Sequence, residues 1–206
     1  MISIITPWLN HSELCRVYAR STRGADVVVV DNGSDPEHAS RLVEMVGRLQ
    51  GTYLRNDENR LFAAANNQGL ERARGDIVVF MNNDVECRPG WLAKVEQDVQ
   101  PGALYAPSKL NRHGMDYLEG WCIAARKETW LELGGWPEHL PGMYYEDNFL
   151  CLKAQRMGIE LNTVNWQVWH FNNYTSRQTP GAFDHSAANA QAFQEALKDV
   201  REQVRL

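Results

Sequence analysis

No run of this 206-residue sequence is apolar for long enough to cross a bilayer, which takes about 20 residues. Cysteine is scarce. Cys15, Cys87, Cys122 and Cys151 are far apart and form no C-x-x-C pair, so a disulfide or zinc framework is not expected and reduced thiols in a cytoplasmic setting are. Net positive charge is lacking: the formal charge is -5, which disfavours non-specific nucleic-acid binding. Met1 to Ile5 is apolar but halts at Pro7, with no basic start and no cleavage pattern, so it does not read as a signal peptide. No G-x-G-x-x-G follows the first apolar run, which disfavours a dinucleotide-binding dehydrogenase. No G-x-x-x-x-G-K-[ST] appears, which excludes the P-loop class. With backbone cradles for phosphate missing, a diphosphate would have to be neutralised by a metal. Internal repeats, low-complexity tracts and linkers are absent as well.

What is present suits one well-buried domain, with 44% hydrophobic and 23% charged residues. The chain is organised around Gly75-Asp76-Ile77-Val78-Val79-Phe80-Met81-Asn82-Asn83-Asp84. A short apolar run bounded by turn residues reads as a strand buried on both faces. Ligands of open α/β sheets gather outside the carboxyl ends of such strands, where Asn82, Asn83 and Asp84 fall. Asp84 is a hard oxygen donor suited to Mg²⁺ or Mn²⁺.

The periodicity predicts strands at Ile2–Thr6 (closed by Pro7), Val27–Val30, Thr52–Leu54, Ile77–Met81, Leu104–Ala106, Trp121–Ala125 and Trp166–Phe171. It predicts helices over His11–Arg20, from Ser34 and Glu37 through Leu49, and over Phe62–Arg74, Trp91–Val99 and Lys127–Leu133. Two more run from Tyr145-Glu146-Asp147 to Met157 and over Ala187–Val204. Asn10 and Glu13 form a capping-box pattern for the first helix. Such alternation predicts an α/β fold: a mostly parallel twisted sheet with helices on both faces. Residues 1–84 and 85–171 would form its two halves, and 172–206 a mobile loop and terminal helix.

Five motifs in register carry a family resemblance. They are Val29-Val30-Asp31-Asn32-Gly33-Ser34-Asp35; Glu58-Asn59-Arg60-Leu61-Phe62-Ala63-Ala64-Ala65-Asn66-Asn67-Gln68-Gly69; Phe80-Met81-Asn82-Asn83-Asp84; Gly134-Gly135-Trp136-Pro137; and Tyr145-Glu146-Asp147. Over residues 1 to 171 the chain resembles the family 2 glycosyltransferases of the GT-A fold, and most of all their rhamnosyltransferase-like branch, which often carries Asn-Asn-Asp where others have Asp-x-Asp.

The resemblance implies a nucleoside diphosphate sugar donor (UDP-, GDP- or dTDP-linked), a divalent Mn²⁺ or Mg²⁺, and inversion at the anomeric carbon of a hexose moved to a glycan or other hydroxyl acceptor. It makes residues 1–84 the nucleotide-sugar-binding half and 85–171 the acceptor and catalytic half, and places Asp31 against the nucleotide base with Thr6 and Pro7 beside it. Asn59, Arg60 and Asn67 fall in the donor-binding segment, and Asn82 and Asn83 near the ribose or donor sugar. Asp84 becomes the metal ligand, joined by His170. Asp147, paired with Glu146, becomes the catalytic base. The helix dipole at its predicted first turn would favour the ionised form a base needs. The chain departs from the pattern at Leu61, where the branch has glycine, and at Asn82, where other members have a carboxylate.

Trp121 and Trp136 are the candidates to stack on acceptor sugars. Asp116 and Glu119 read as a solvated loop with acceptor contact as the alternative. The polar stretch Asn172 to Asp184 could close over bound donor, bringing Arg177 to the diphosphate. Two other readings stay open. A sugar nucleotidyltransferase would need a Gly-rich basic loop that Thr6-Pro7-Trp8-Leu9-Asn10 does not supply. A degenerate nucleotide-sugar-binding module fits the changes at Leu61 and Asn82. The expected location is cytoplasmic, with peripheral membrane association left open.

Overall fold

The computed structural model describes residues 1–141, 143–171 and 184–203. The expected closing loop, including Arg177, lies outside these residues apart from Asp184.

Apolar runs with β-branched residues make the centre. β1 (Ile2–Trp8), β2 (Asp26–Asp31) and β4 (Ile77–Met81) are almost wholly buried. Alternate side chains point to opposite faces. Ile5, Val28, Val30, Val78 and Phe80 enter one core, whereas Ile4, Val27, Val29, Val79 and Met81 enter the other. Helices cover both. Leu42, Met45 and Val46 of α2 (Pro36–Arg48) pack on the second core, with Tyr18 of α1 (Cys15–Ser21) and Trp91 of α4 (Trp91–Asp98). α3 (Leu61–Arg72), α5 (Lys127–Leu133), α6 (Glu146–Arg156) and α7 (Ser186–Gln203) pack on the first.

The remaining main-sheet strands are β3 (Thr52–Arg55), β6 (Ala103–Ala106), β9 (Cys122–Arg126) and β10 (Glu160–Thr163). They complete a seven-stranded sheet of order β10-β6-β9-β4-β1-β2-β3. β1 pairs parallel with β2 and β4, β2 with β3, and β6 with β10; β9 runs antiparallel to β4 and β6. The mostly parallel architecture holds, and one sheet takes strands from both expected halves.

Several local expectations are corrected. β1 runs through Pro7 to Trp8, because its ladder with β4 ends at Ile5 and leaves Pro7 paired only with Val30 on the other side. The capping box does not form. Asn10 and His11 take left-handed backbone, and a 3₁₀ turn at Ser12–Leu14 precedes α1. Asn10 is used elsewhere: its N–H donates to Ser34 Oγ (2.7 Å), and its Oδ1 accepts from the Asp35 N–H (2.8 Å).

Two strands and a hairpin were not foreseen. β10 is one. β5 (Val85–Cys87) pairs antiparallel with β11 (Val168–His170), the core of the expected Trp166–Phe171 strand. β7 (Lys109–Arg112) and β8 (Met115–Leu118) form a hairpin closed by His113 and Gly114, both at positive φ. These elements are short and largely polar, and their pairing partners, except in the hairpin, are far away in sequence. Among the described residues, no helix is long and apolar enough to cross a membrane.

Candidate active site

The carboxyl ends of β1, β2 and β4 open into a cleft of about 540 Å³. Pro7, Asn32 and the run Asn82 to Asp84 line it from the first half; Glu119 to Trp121, Tyr144 to Asp147 and His170 line it from the second. Asp84 and Asp147, expected to act together, share this cleft.

On the β2 side, Asn32 is the organiser, a role the sequence reading did not give it. Its Nδ2 donates to Asn59 Oδ1 (2.7 Å) and Leu61 O (3.2 Å), and its Oδ1 accepts from the Arg60 N–H (3.0 Å) and Asn56 Nδ2 (2.9 Å). The crossing segment lies so close that a Cβ on Gly33 would sit 2.9 Å from the Glu58 carbonyl carbon. Leu61 takes φ +69°, the conformation a glycine would adopt freely, at the position where the resembled branch has glycine. Asn59 lines the cleft as expected.

Other expected donor residues are placed differently. Thr6 is fully buried and accepts from the Tyr18 hydroxyl (2.8 Å), since its side chain points into the second core face rather than the cleft. The buried Asp31 carboxylate is already taken: it accepts from the Ser34 N–H, the Tyr53 hydroxyl and the Arg55 guanidinium. Arg60 is exposed and lines a neighbouring smaller cavity beside Glu58 and Glu138. Asn67 ties α3 to the Gly-Gly-Trp turn, donating to Trp136 O (2.9 Å) and accepting from the Trp136 N–H (2.8 Å).

The cleft also holds both residues expected as metal ligands. His170 Nε2 lies 3.0 Å from Asp84 Oδ1, and the Phe171 N–H donates to Asp84 O (2.9 Å). The β5–β11 pairing makes this contact between residues far apart in the chain, setting His170 opposite Val85. Trp121 stacks on the His170 ring, with centroids 5.1 Å apart and planes 7° off parallel. One of its faces is therefore committed to the histidine rather than to a sugar. Trp136 is no platform either. It is 2% exposed, stacked on Trp130 and edge-on to Phe62 and Phe80.

Tyr144 and Tyr145, which line the same cleft, take φ +77° and +76° and turn the chain into α6. Glu146 and Asp147 form the first turn, as predicted. Asp147 Oδ1 accepts from the Asn148 N–H (2.9 Å), and Oδ2 from the Gly120 N–H (3.3 Å). The residue opens partly onto the cleft, but protein packs closely around its carboxyl. Burial pushes its pKa up to about 6, against the pull of those two amides and of Arg112. Burial, reinforced by the charge of Asp147, raises Glu146 to about 7.

The β7–β8 hairpin brings Arg112 and Tyr117 to the same cleft. The signal for it was the His113-Gly114 pair between segments of alternating polarity. Glu119 also lines the cleft, accepting from the Ser108 hydroxyl and Trp121 Nε1, whereas Asp116 is exposed and pairs with Lys109 (3.3 Å).

The sequence profile described as Glycosyl transferase family 2 matches residues 3–129, more than half of the chain. The chain belongs to glycosyl transferase family 2. Among curated relatives, this family 2 chain is 24% identical to the protein y4gI of Sinorhizobium fredii, over 86% of its own length and 25% of the relative's. Among solved structures it is similar to GalNAc-T7 with UDP, GalNAc and Mn²⁺ (TM-score 0.72, 15% identity, 93% of this chain and 47% of that one). It is also similar to the mannosyltransferase PcManGT from Pyrobaculum calidifontis in complex with GDP-Man and Mn²⁺ (TM-score 0.66, 22% identity, 79% and 54%). These likenesses show the GT-A fold. The chain spans a quarter of y4gI and about half of each of these structures.

Proposed function

We propose that this family 2 chain is an inverting, metal-dependent glycosyltransferase that moves a hexose from a nucleoside diphosphate sugar to an acceptor hydroxyl. The observation that carries the reading is that Asp84, His170 and Asp147 line one cleft. Family membership and the sugar-nucleotide and Mn²⁺ complexes of the similar structures support it.

Asp84 and His170 fit a divalent cation shared with substrate. Their donor atoms lie 3.0 Å apart, so both could bind one ion. Among the described residues no group of three or more His, Cys, Asp or Glu joins at a metal-binding spacing. Asp84 and His170 would therefore hold the ion together with the substrate, as Mg²⁺-type sites commonly do. The imidazole nitrogen favours Mn²⁺ over Mg²⁺. Such an ion, when bound, supplies charge stabilisation for the leaving diphosphate.

The protein's part in the step is proton transfer and positioning. An acceptor hydroxyl hydrogen-bonded to Asp147 gives its proton to the carboxylate as its oxygen forms a bond to the anomeric carbon. The bond from that carbon to the diphosphate oxygen breaks, and the electron pair leaves with the nucleoside diphosphate. Attack from the face opposite the leaving group inverts the centre. A carboxylate held near pKa 6 is ionised at neutral pH yet a stronger base than a solvated aspartate. Glu146, at about 7, stays partly protonated and limits the charge beside it. Pro7, Asn32, Asn59, Asn82 and Asn83 line the donor end with groups suited to a nucleoside and sugar hydroxyls. The Asn-Asn-Asp run is the feature favouring the rhamnosyltransferase-like branch.

The test is nucleoside diphosphate release from a panel of UDP-, GDP- and dTDP-sugars with Mn²⁺, with and without candidate acceptors. Metal-dependent release from one donor class is expected. Nucleotide binding without release from any donor would leave the binding-module reading instead.

A further inference from the structure

Arg112 is the only lysine or arginine among the described residues that line the cleft, whose other charged lining groups include Asp84, Glu119, Glu146 and Asp147. A cation there could simply neutralise a neighbouring carboxylate; Arg112 does pull on the charge of Asp147, but it forms no direct ion pair with any described residue. Its guanidinium lies over two aromatic rings, 4.7 Å from the Tyr145 centroid and 5.4 Å from that of Tyr117. Among the described residues its hydrogen bond is one long contact, Nη1 to Asn148 Oδ1 at 3.4 Å. A guanidinium has five N–H donors, so most have no partner among the described residues. The Asn148 amide beside it is fully buried, and its Nδ2 has no partner among them either.

Aromatic faces grip the guanidinium plane and leave its N–H edge to meet a ligand. Holding a long side chain in one rotamer normally costs entropy on binding; two tyrosines have already fixed this one. A planar fork with unused donors is the geometry that recognises a phosphate or carboxylate through paired hydrogen bonds.

Location decides which substrate supplies that anion. Arg112 touches Asn148 and Tyr145, the residues on either side of the Glu146-Asp147 pair. A donor diphosphate would lie against Asp84 and His170, neither of which is among the described contacts of Arg112. We infer that Arg112 is an acceptor-specificity residue, and that the acceptor carries a phosphate or carboxylate close to the hydroxyl that attacks. This rests on the reading of Asp147 as the base. A neutral acceptor would leave the guanidinium donors facing an acidic cleft without an anion to bind.

The experiment uses matched probes: glycerol phosphate against glycerol, and methyl glucuronide against methyl glucoside. Each is titrated into the protein while the Arg112 Nε–Hε signal is followed by NMR. UDP and GDP binding with Mn²⁺ is measured by calorimetry on the same samples. At least one anionic probe should bind about tenfold or more tighter than its neutral partner, and the arm that does so separates phosphate from carboxylate recognition. Arg112→Gln should erase the preference, and Arg112→Lys should keep part of it, since a lysine retains charge but not the fork. Equal binding of charged and neutral probes, no binding of either anion, or a preference that survives in Arg112→Gln would overturn the inference. A loss of UDP or GDP affinity in Arg112→Gln as large as the loss of anion affinity would also overturn it, by assigning Arg112 to the donor. Anion preference without any nucleotide binding in the wild type would sustain the anion site and sink the transferase reading.

Discussion

Replacing Asp147 with Asn should abolish transfer and make the protein more stable at neutral and alkaline pH. The carboxyl has an ordinary pKa of 3.8 and is held at about 6 in the fold, chiefly by burial. That rise of about two pH units corresponds to about 3 kcal/mol of native-state cost once both states are ionised. An amide at the same place removes the charge but keeps one acceptor oxygen. One of the two amides now donating to Asp147, from Gly120 or Asn148, would then face an NH₂ group. Losing that bond costs about 1 kcal/mol, and water in the cleft screens part of the charge effect. The net gain is about 1–2 kcal/mol near pH 8, a rise of roughly 2–8 °C in Tm for a chain of this size. Because the folded value lies above the unfolded one, protonation favours the native state. The wild type keeps that benefit below 3.8 and loses it as pH rises through about 6. The advantage of Asp147→Asn should therefore shrink as pH falls below about 6 and vanish near 4. Urea or thermal unfolding of both proteins across this range measures it. A variant no more stable than wild type at about pH 8, or with a pH-independent difference, refutes the argument.

The wild-type rate, as kcat/KM, should climb with pH through about 6 as Asp147 ionises, and a flat profile across that region removes it as the base. Asp84→Asn and His170→Ala should each weaken Mn²⁺-dependent nucleotide binding by at least about tenfold. Calorimetry with and without Mn²⁺ checks this, and equal losses in both conditions exclude a metal role. A methyl on Gly120 would sit 3.0 Å from Trp136 Cη2 and 3.3 Å from Asp147 Cβ. Gly120→Ala should cost about 1–3 kcal/mol in stability and depress transfer by displacing the base, while nucleotide binding survives; unchanged kcat contradicts it.

The buried strands and the acidic residues of the cleft at Asp84 and Glu146-Asp147 were legible because each is written locally. Ile77–Met81 is apolar at every position and fills two cores, so both its fate and the position of Asp84 at its end follow from one short run. Glu146 and Asp147 begin a helix wherever that helix packs. The failures share a cause: partners distant in sequence. β5 and β11 are three residues each and become strands only by pairing with one another. Asn10 looked like a helix cap but was drawn to Ser34 and Asp35. Asp31 looked free to meet a nucleotide, and nothing in its own motif announced that Tyr53 and Arg55 would reach across from β3. Leu61 is the reverse case. Its side chain departs from the family pattern while its backbone holds the left-handed turn that glycine would give.

The ribbon that brings His170 to Asp84 has only three residue pairs and lies apart from the seven-stranded sheet. A pairing that small has little stability of its own, and parts of a protein with few contacts open at lower free energy than the whole. Warmth or mild denaturant should therefore separate the imidazole from the aspartate while the two large cores stay closed. On the proposed function, transfer would fall silent before the fold melts.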